Sequence, residues 1–132
     1  MIPDYTYPAT SLEPSFQERV QDLYSFDGRL GRQSYWLRGL LLWSFNIVAA
    51  ILFAVAGDAG SATIPLVLLA SAAYIACFFG SLATTVKRLH DRGRSGWFML
   101  IALIPLVGIW LIIEVGFLSG EPRENQYGSP AA

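Results

Sequence analysis

The sequence predicts an all-α membrane protein: an N-terminal interfacial amphipathic helix followed by three transmembrane helices. Three observations carry that expectation. The 132-residue chain is 54% hydrophobic and only 14% charged, where a soluble domain carries about 25% charged residues. Its apolar residues gather into long runs with no polar face, and its cations fall between those runs in an alternating pattern. Mean hydropathy is +0.45. The length allows a single domain, read as a flexible segment at 1–14, a membrane domain over 15–128 and a tail at 129–132.

Composition also excludes. The net charge of −1 removes nucleic acid as an expected partner, so any basic signal is local. One cysteine and one histidine permit neither an intramolecular disulfide nor a His/Cys metal cluster, and no cofactor is expected. Cys77 lies in an apolar run and reads as a small buried hydrophobe. The opening MIPDYTYPATSLEP has neither a positive n-region nor an apolar h-region, so targeting is expected to rest with the first span.

The elements follow in order. Ser15 to Tyr24, SFQERVQDLY, places Phe16, Val20, Leu23 and Tyr24 on one helical face, with Ser15 and Glu18 spaced as a capping box. Such a helix lies on the membrane interface or offers a docking face to a partner. In SFDGRLGRQSYW, Asp27-Gly28 makes a turn, Arg29 and Arg32 sit at headgroup level, and Tyr35-Trp36 form an aromatic belt. The first span covers 37–56, with Asn46 at mid-span expected to bond a neighbouring helix. The second covers 63–86, and Ala72, Ala76 and Gly80 recur on it as a smooth packing seam. The third covers 97–118, anchored by Trp97-Phe98 and interrupted by Glu114. Each run suits a bilayer core, which needs about 20 apolar residues in a helix. Ile104-Pro105-Leu106-Val107-Gly108 breaks the third run, read as a kink in a full crossing. The alternative is a re-entrant hairpin that returns the C-terminus to the cytoplasm.

Cations set the orientation. Arg19, Arg29, Arg32 and Arg38 precede or open the first span, and Lys87, Arg88, Arg92 and Arg94 lie between the second and third. The GDAGSAT connection has none. The positive-inside rule then puts the N-terminus and the 87–96 loop in the cytoplasm and the C-terminus outside.

Within KRLHDRGRSGW, residues 87 to 97, Gly93 is placed to take a left-handed cap, Ser95 to cap the third helix, and Gly96 to follow it. Arg88, His90, Arg92 and Arg94, together with Arg29 and Arg32, form a candidate anion site for lipid headgroups. A cation near an anionic surface contributes about 1 kcal/mol. The plainer alternative is that these cations only set topology, with Asp91 and Asp27 pairing some of them.

These blocks resemble the signature of a bacterial inner-membrane family catalogued as domain of unknown function 805, the YhaH/YhaI-like proteins. The matching residues are Phe26, Gly28-Arg29, Arg32 and Tyr35-Trp36; then Arg88 to Asp91 and Gly93 to Trp97; then Ile104 to Gly108; then Gly120, Pro122, Asn125, Tyr127 and Gly128. Coverage runs from about Phe16 to Gly128. Ser34, Glu114 and Arg123 depart from the family pattern. The resemblance implies a small multi-pass inner-membrane protein and no reaction. The expected function is therefore non-enzymatic: a basic, aromatic-flanked cytoplasmic face presented to anionic lipids or a membrane partner, the latter including a second copy. The alternatives are a subunit of an oligomeric transporter or channel, and a headgroup enzyme using His90-Asp91.

Overall fold

The computed structural model of the chain describes residues 14–57 and 63–131. Most of the segment expected at 1–14, and the centre of the first connection, lie outside the described residues. Among the described residues every extended element is helical. The order is α1 (Phe16–Tyr24), α2 (Arg32–Gly57), α3 (Ile64–Asp91), a 3₁₀ segment (Gly96–Leu103) and α4 (Pro105–Gly116).

Helix α1 starts where the capping box requires. Ser15 N donates to Glu18 Oε2 at 2.6 Å, and Glu18 N donates to Ser15 Oγ at 3.3 Å, so two orphan donors are satisfied reciprocally. The helix lies across α3: Lys87 Nζ donates to Asp22 Oδ1 at 2.5 Å and to its carbonyl at 2.6 Å. Arg38 from α2 grips the same carboxylate at 2.5 Å.

Helices α2 and α3 hold 26 and 28 residues, or about 39 and 42 Å at 1.5 Å per residue. Both exceed a hydrocarbon core of about 30 Å. Only 17% and 22% of their most apolar windows are buried in the molecule, which is not how the core helix of a soluble protein sits. Leu40, Phe45, Ile51, Leu68 and Phe79 all face outward, a surface suited to lipid. Hydroxyls and amides at that depth bond to their own helix: Asn46 to Leu42, Ser71 to Val67, Ser81 to Cys77 and Thr85 to Ser81. Asn46 thus corrects the expectation of a bond to a neighbouring helix. The seam between the helices is also displaced. Ala70, Cys77, Gly80 and Ala83 are buried, while Ala72 faces outward. A Cβ at Gly80 would stand 3.3 Å from Leu42 Cδ2, so the helices meet tightly there.

The third apolar run is not a single helix. It folds as two arms, a 3₁₀ arm of 8 residues and α4 of 12. These reach about 16 and 18 Å, short of the bilayer core. Ile104 is extended between them, as the residue before a proline prefers. Pro105 then opens α4 at the position where its missing N–H costs nothing. The arms pack on each other: the Phe98 and Trp110 rings meet edge to face at 5.6 Å, and a Cβ at Gly108 would stand 3.0 Å from the Ala102 carbonyl. Leu111 and Val115 bury against Leu89 of α3. The end of α4 therefore returns to the level where α3 ended. Where a third crossing was expected, the run is thus folded as two short arms, and among the described residues two helices are long and apolar enough to cross a membrane.

Candidate functional site

Folding the third run back brings four chain ends together: the turn before α2, the end of α3, the end of α4 and the C-terminal strap. Each helix end leaves its last carbonyls without intrahelical partners and carries partial negative charge. Cations of the other elements fill that need. Arg88 Nε donates to Val115 O at 2.7 Å, and its Nη2 donates to Leu118 O. Trp36 Nε1 donates to Gly116 O at 2.9 Å, Arg32 Nη1 to Phe117 O at 3.1 Å, and Arg92 Nη1 to Ser119 O. Every carbonyl from Val115 to Ser119 thus accepts from a cation or an indole.

The centre of the cluster is Asp91, buried and shared by two guanidiniums. Arg88 Nη1 pairs with its Oδ2, and Arg29 Nε donates to its Oδ1 at 3.0 Å. Arg29 also ties down the strap, donating to the carbonyls of Glu121 at 2.5 Å, Arg123 at 2.7 Å and Gly128 at 3.2 Å. Arg88 is 0% exposed. A buried guanidinium is tolerated because its donors are satisfied and its charge is paired. Arg92 Nε and Nη2 both grip Glu114 Oε1, at 3.2 and 3.1 Å. Arg94 lies 3.8 Å from the same carboxylate, with its guanidinium over the Phe98 ring.

The turn residues behave as their types require. Gly28 has φ +91° and Gly93 φ +67°, both left-handed. Gly93 N donates to His90 O and Arg94 N to Leu89 O, the double bond of a Schellman cap closing α3. Ser95 Oγ accepts from Trp97 N at 3.4 Å, opening a 3₁₀ segment rather than an α-helix. Gly96 runs against Val86, whose Cγ1 would lie 2.9 Å from a Cβ there.

Of the expected headgroup cations, Arg29, Arg88 and Arg92 turn inward onto protein acceptors, leaving Arg32 and Arg94 exposed. His90 is directed elsewhere: its ring stacks on Tyr127 at 3.7 Å and 2°, and Nδ1 faces Gly28 O at 3.2 Å. His90 and Asp91 therefore serve different partners. Asp27, a possible cation partner, pairs with none among the described residues. Tyr35 packs into the Leu89–Leu111–Val115 core and Trp36 latches α4, so neither is only an interfacial anchor. Trp97 is 79% exposed. Among the described residues no group of His, Cys, Asp and Glu is placed to hold a metal.

Asp22 escaped the sequence reading, and Asn125 and Gly120 entered it only through the family resemblance; all three make contacts that hold the cluster. Asn125 Nδ2 donates to His90 O at 3.0 Å and to Glu121 Oε2 at 2.8 Å. A Cβ at Gly120 would fall within the Asp91 carboxylate. The signal available for Glu114 was an acid inside an apolar run; its partners are Arg92 and Arg94.

This interlocked set spans the chain from its first turn to its last, and one family model matches nearly the same stretch, residues 23–129: a protein of unknown function, DUF805. The chain belongs to the DUF805 family. Its relatives include the uncharacterized protein YiiR of Escherichia coli K12, 33% identical over 137 residues, covering 82% of this chain and 86% of the relative. Two proteins of the same strain named as inner membrane proteins, YhaH and YhaI, are 33% and 32% identical over 111 residues, covering 83% of this chain and 88% of each relative. No solved structure matches the chain. Family membership and the two long apolar helices agree on a membrane protein, and the family is described as one of unknown function.

Proposed function

We propose that this DUF805 chain is a non-enzymatic inner-membrane protein that offers a rigid docking platform at the cytoplasmic face. The observation that carries the reading is the fate of the guanidiniums: Arg29, Arg88 and Arg92 brace backbone carbonyls and buried carboxylates instead of standing open for a substrate. The separation of His90 from Asp91 supports it further, since a general base needs an orienting partner within hydrogen-bond reach. With both the α1 end and the strap at one level, the positive-inside rule assigns that level to the cytoplasm. Arg32 and Arg94, the exposed cations of the platform, are the residues that meet anionic headgroups.

Native mass spectrometry of the detergent-purified protein tests this reading. Arg32→Gln with Arg94→Gln is expected to lower phosphatidylglycerol and cardiolipin adducts several-fold while melting stays near wild type. Unchanged adducts would reject the headgroup role. Proteins that co-purify with the wild type in mild detergent, and are lost in the double variant, would identify a membrane partner on the same surface.

A further inference from the structure

We propose that the cavity between the Asp27 turn, the end of α3 and the 3₁₀ segment is a binding site for an ammonium group. This goes beyond the anionic-lipid reading above and concerns ligand chemistry of the opposite sign.

The cavity holds ≈ 530 Å³, within the usual range of roughly 300–1,000 Å³ for small-ligand pockets. Although this end of the molecule concentrates the chain's cations, no Lys or Arg lines the cavity. Its one charged side chain is Asp27, exposed and without an ion-pair partner among the described residues. Phe26, Trp97 and Tyr127 supply aromatic surface around that carboxylate. Aromatic faces beside an acid attract cations and give nothing to an anion.

His90 is the second, independent feature. It is 8% exposed and lines the cavity, with its ring pinned under Tyr127. Nδ1 faces a carbonyl, which only accepts, so Nδ1 carries the proton. In the neutral ring Nε2 is then an acceptor, and it has no partner among the described residues. That nitrogen is not sealed inside the protein, so a donor entering the cavity can reach it. A primary ammonium has three donors and no acceptor, enough for Asp27, His90 and a water or Ser95. Val86, Met99 and Leu100 form an apolar wall beside this polar end, as an amphiphile with an amine head requires. Such an ammonium comes either from an aminophospholipid or from a free small amine.

The test uses the full chain in detergent and in nanodiscs. Wild type is expected to retain phosphatidylethanolamine over phosphatidylglycerol in native mass spectra. Asp27→Asn and Trp97→Ala should each lower the phosphatidylethanolamine adduct roughly three- to tenfold, with phosphatidylglycerol adducts unchanged. Both side chains are exposed, so folding is expected to hold, checked by an unaltered melting curve. Nitrogen NMR of labelled histidine should show His90 Nε2 shifting with phosphatidylethanolamine and not with phosphatidylglycerol. Millimolar ethanolamine reproducing the shift without a lipid preference would assign the site to a free amine. No shift with either amine source, or phosphatidylethanolamine adducts indifferent to Asp27→Asn, would overturn the proposal. Loss of the Arg32 and Arg94 effect would leave it standing, because those residues do not line the cavity.

Discussion

Arg88 Nε donates to the carbonyl oxygen of Val115 at 2.7 Å, joining the last turn of α3 to the last turn of α4. The same planar fork reaches Asp91, Leu30 O and Leu118 O. A guanidinium presents donors in several fixed directions; an ammonium is a compact point charge.

Arg88→Lys is therefore expected to fail almost as badly as Arg88→Gln. Breaking a buried pair costs about 3–5 kcal/mol, read as loss of membrane abundance and of a cooperative melt in detergent. Near-wild-type melting of Arg88→Lys would show that charge alone suffices at this position.

Gly93 is both left-handed and crowded, and the two costs separate. Gly93→Ala pays for φ +67° and also drives a Cβ onto the Glu121 carboxylate. The left-handed conformation costs an L-residue about 1–2 kcal/mol. Adding Glu121→Ala should recover only the steric part, so the double variant melts above Gly93→Ala and below wild type. Full recovery would mean that the backbone conformation carries no cost.

Whether the third run crosses or returns is decided by where the ends lie. The structure expects tags at the N-terminus and after Ala131 on one side of the membrane, whichever side that is. A C-terminal green fluorescent protein should be bright and alkaline phosphatase inactive if that side is the cytoplasm. Labels reaching the two ends from opposite sides would restore three crossings.

Acid should release α1. Burial pushes the Asp22 carboxyl upward, but the hydrogen bonds and charges of Lys87 and Arg38 outweigh it, so the group sits below its ordinary range. A carboxyl depressed on folding contributes stability that is complete above its unfolded value and is lost as pH falls through the folded one. The window is therefore below about pH 4. Asp22 is half exposed, and a screened pair is worth about 0.2–1 kcal/mol. Hydrogen exchange of the α1 amides should quicken below that pH and, in Asp22→Asn, be fast already at neutral pH. Exchange insensitive to both would remove the carboxylate as the tether of α1.

Thr84 offers the opposite case. Its Oγ1 is buried without a hydrogen-bond partner, and a stranded polar group costs about 1–3 kcal/mol. Thr84→Val keeps the shape and removes the hydroxyl. The variant is expected to melt at or above the wild-type temperature, and a clear loss would reveal an unrecognised partner for the hydroxyl.

Much of the local structure was legible because particular residue types announce it. Ser15 with Glu18, the left-handed Gly28 and Gly93, Ser95 at the start of the third run and the two long apolar helices all stand where residue chemistry puts them. The hairpin was not, because Ile104-Pro105 produces the same local break in a kinked crossing and in a return. The destination of the arginines was hidden for a different reason. Their acceptors at Val115 to Ser119 are main-chain carbonyls, which every residue carries, so no letter of the sequence marks them. Only Glu114, an acid stranded among aliphatics, hinted that a cation had to come to it.

The strap and α4 are also made after the residues that bind them. Arg92 is translated 22 residues before Glu114, and Arg88 precedes its acceptors Val115 and Leu118 by 27 and 30. At about 5–20 residues per second this leaves an interval of about one to six seconds. During it the newborn guanidiniums are bare charge, the form in which a loop resists translocation. Once α4 and the strap emerge, the same groups become interior hydrogen-bond donors. One set of side chains thus acts first on the insertion machinery and afterwards on its own chain, and a protein truncated before Glu114 would keep the first role and lose the second.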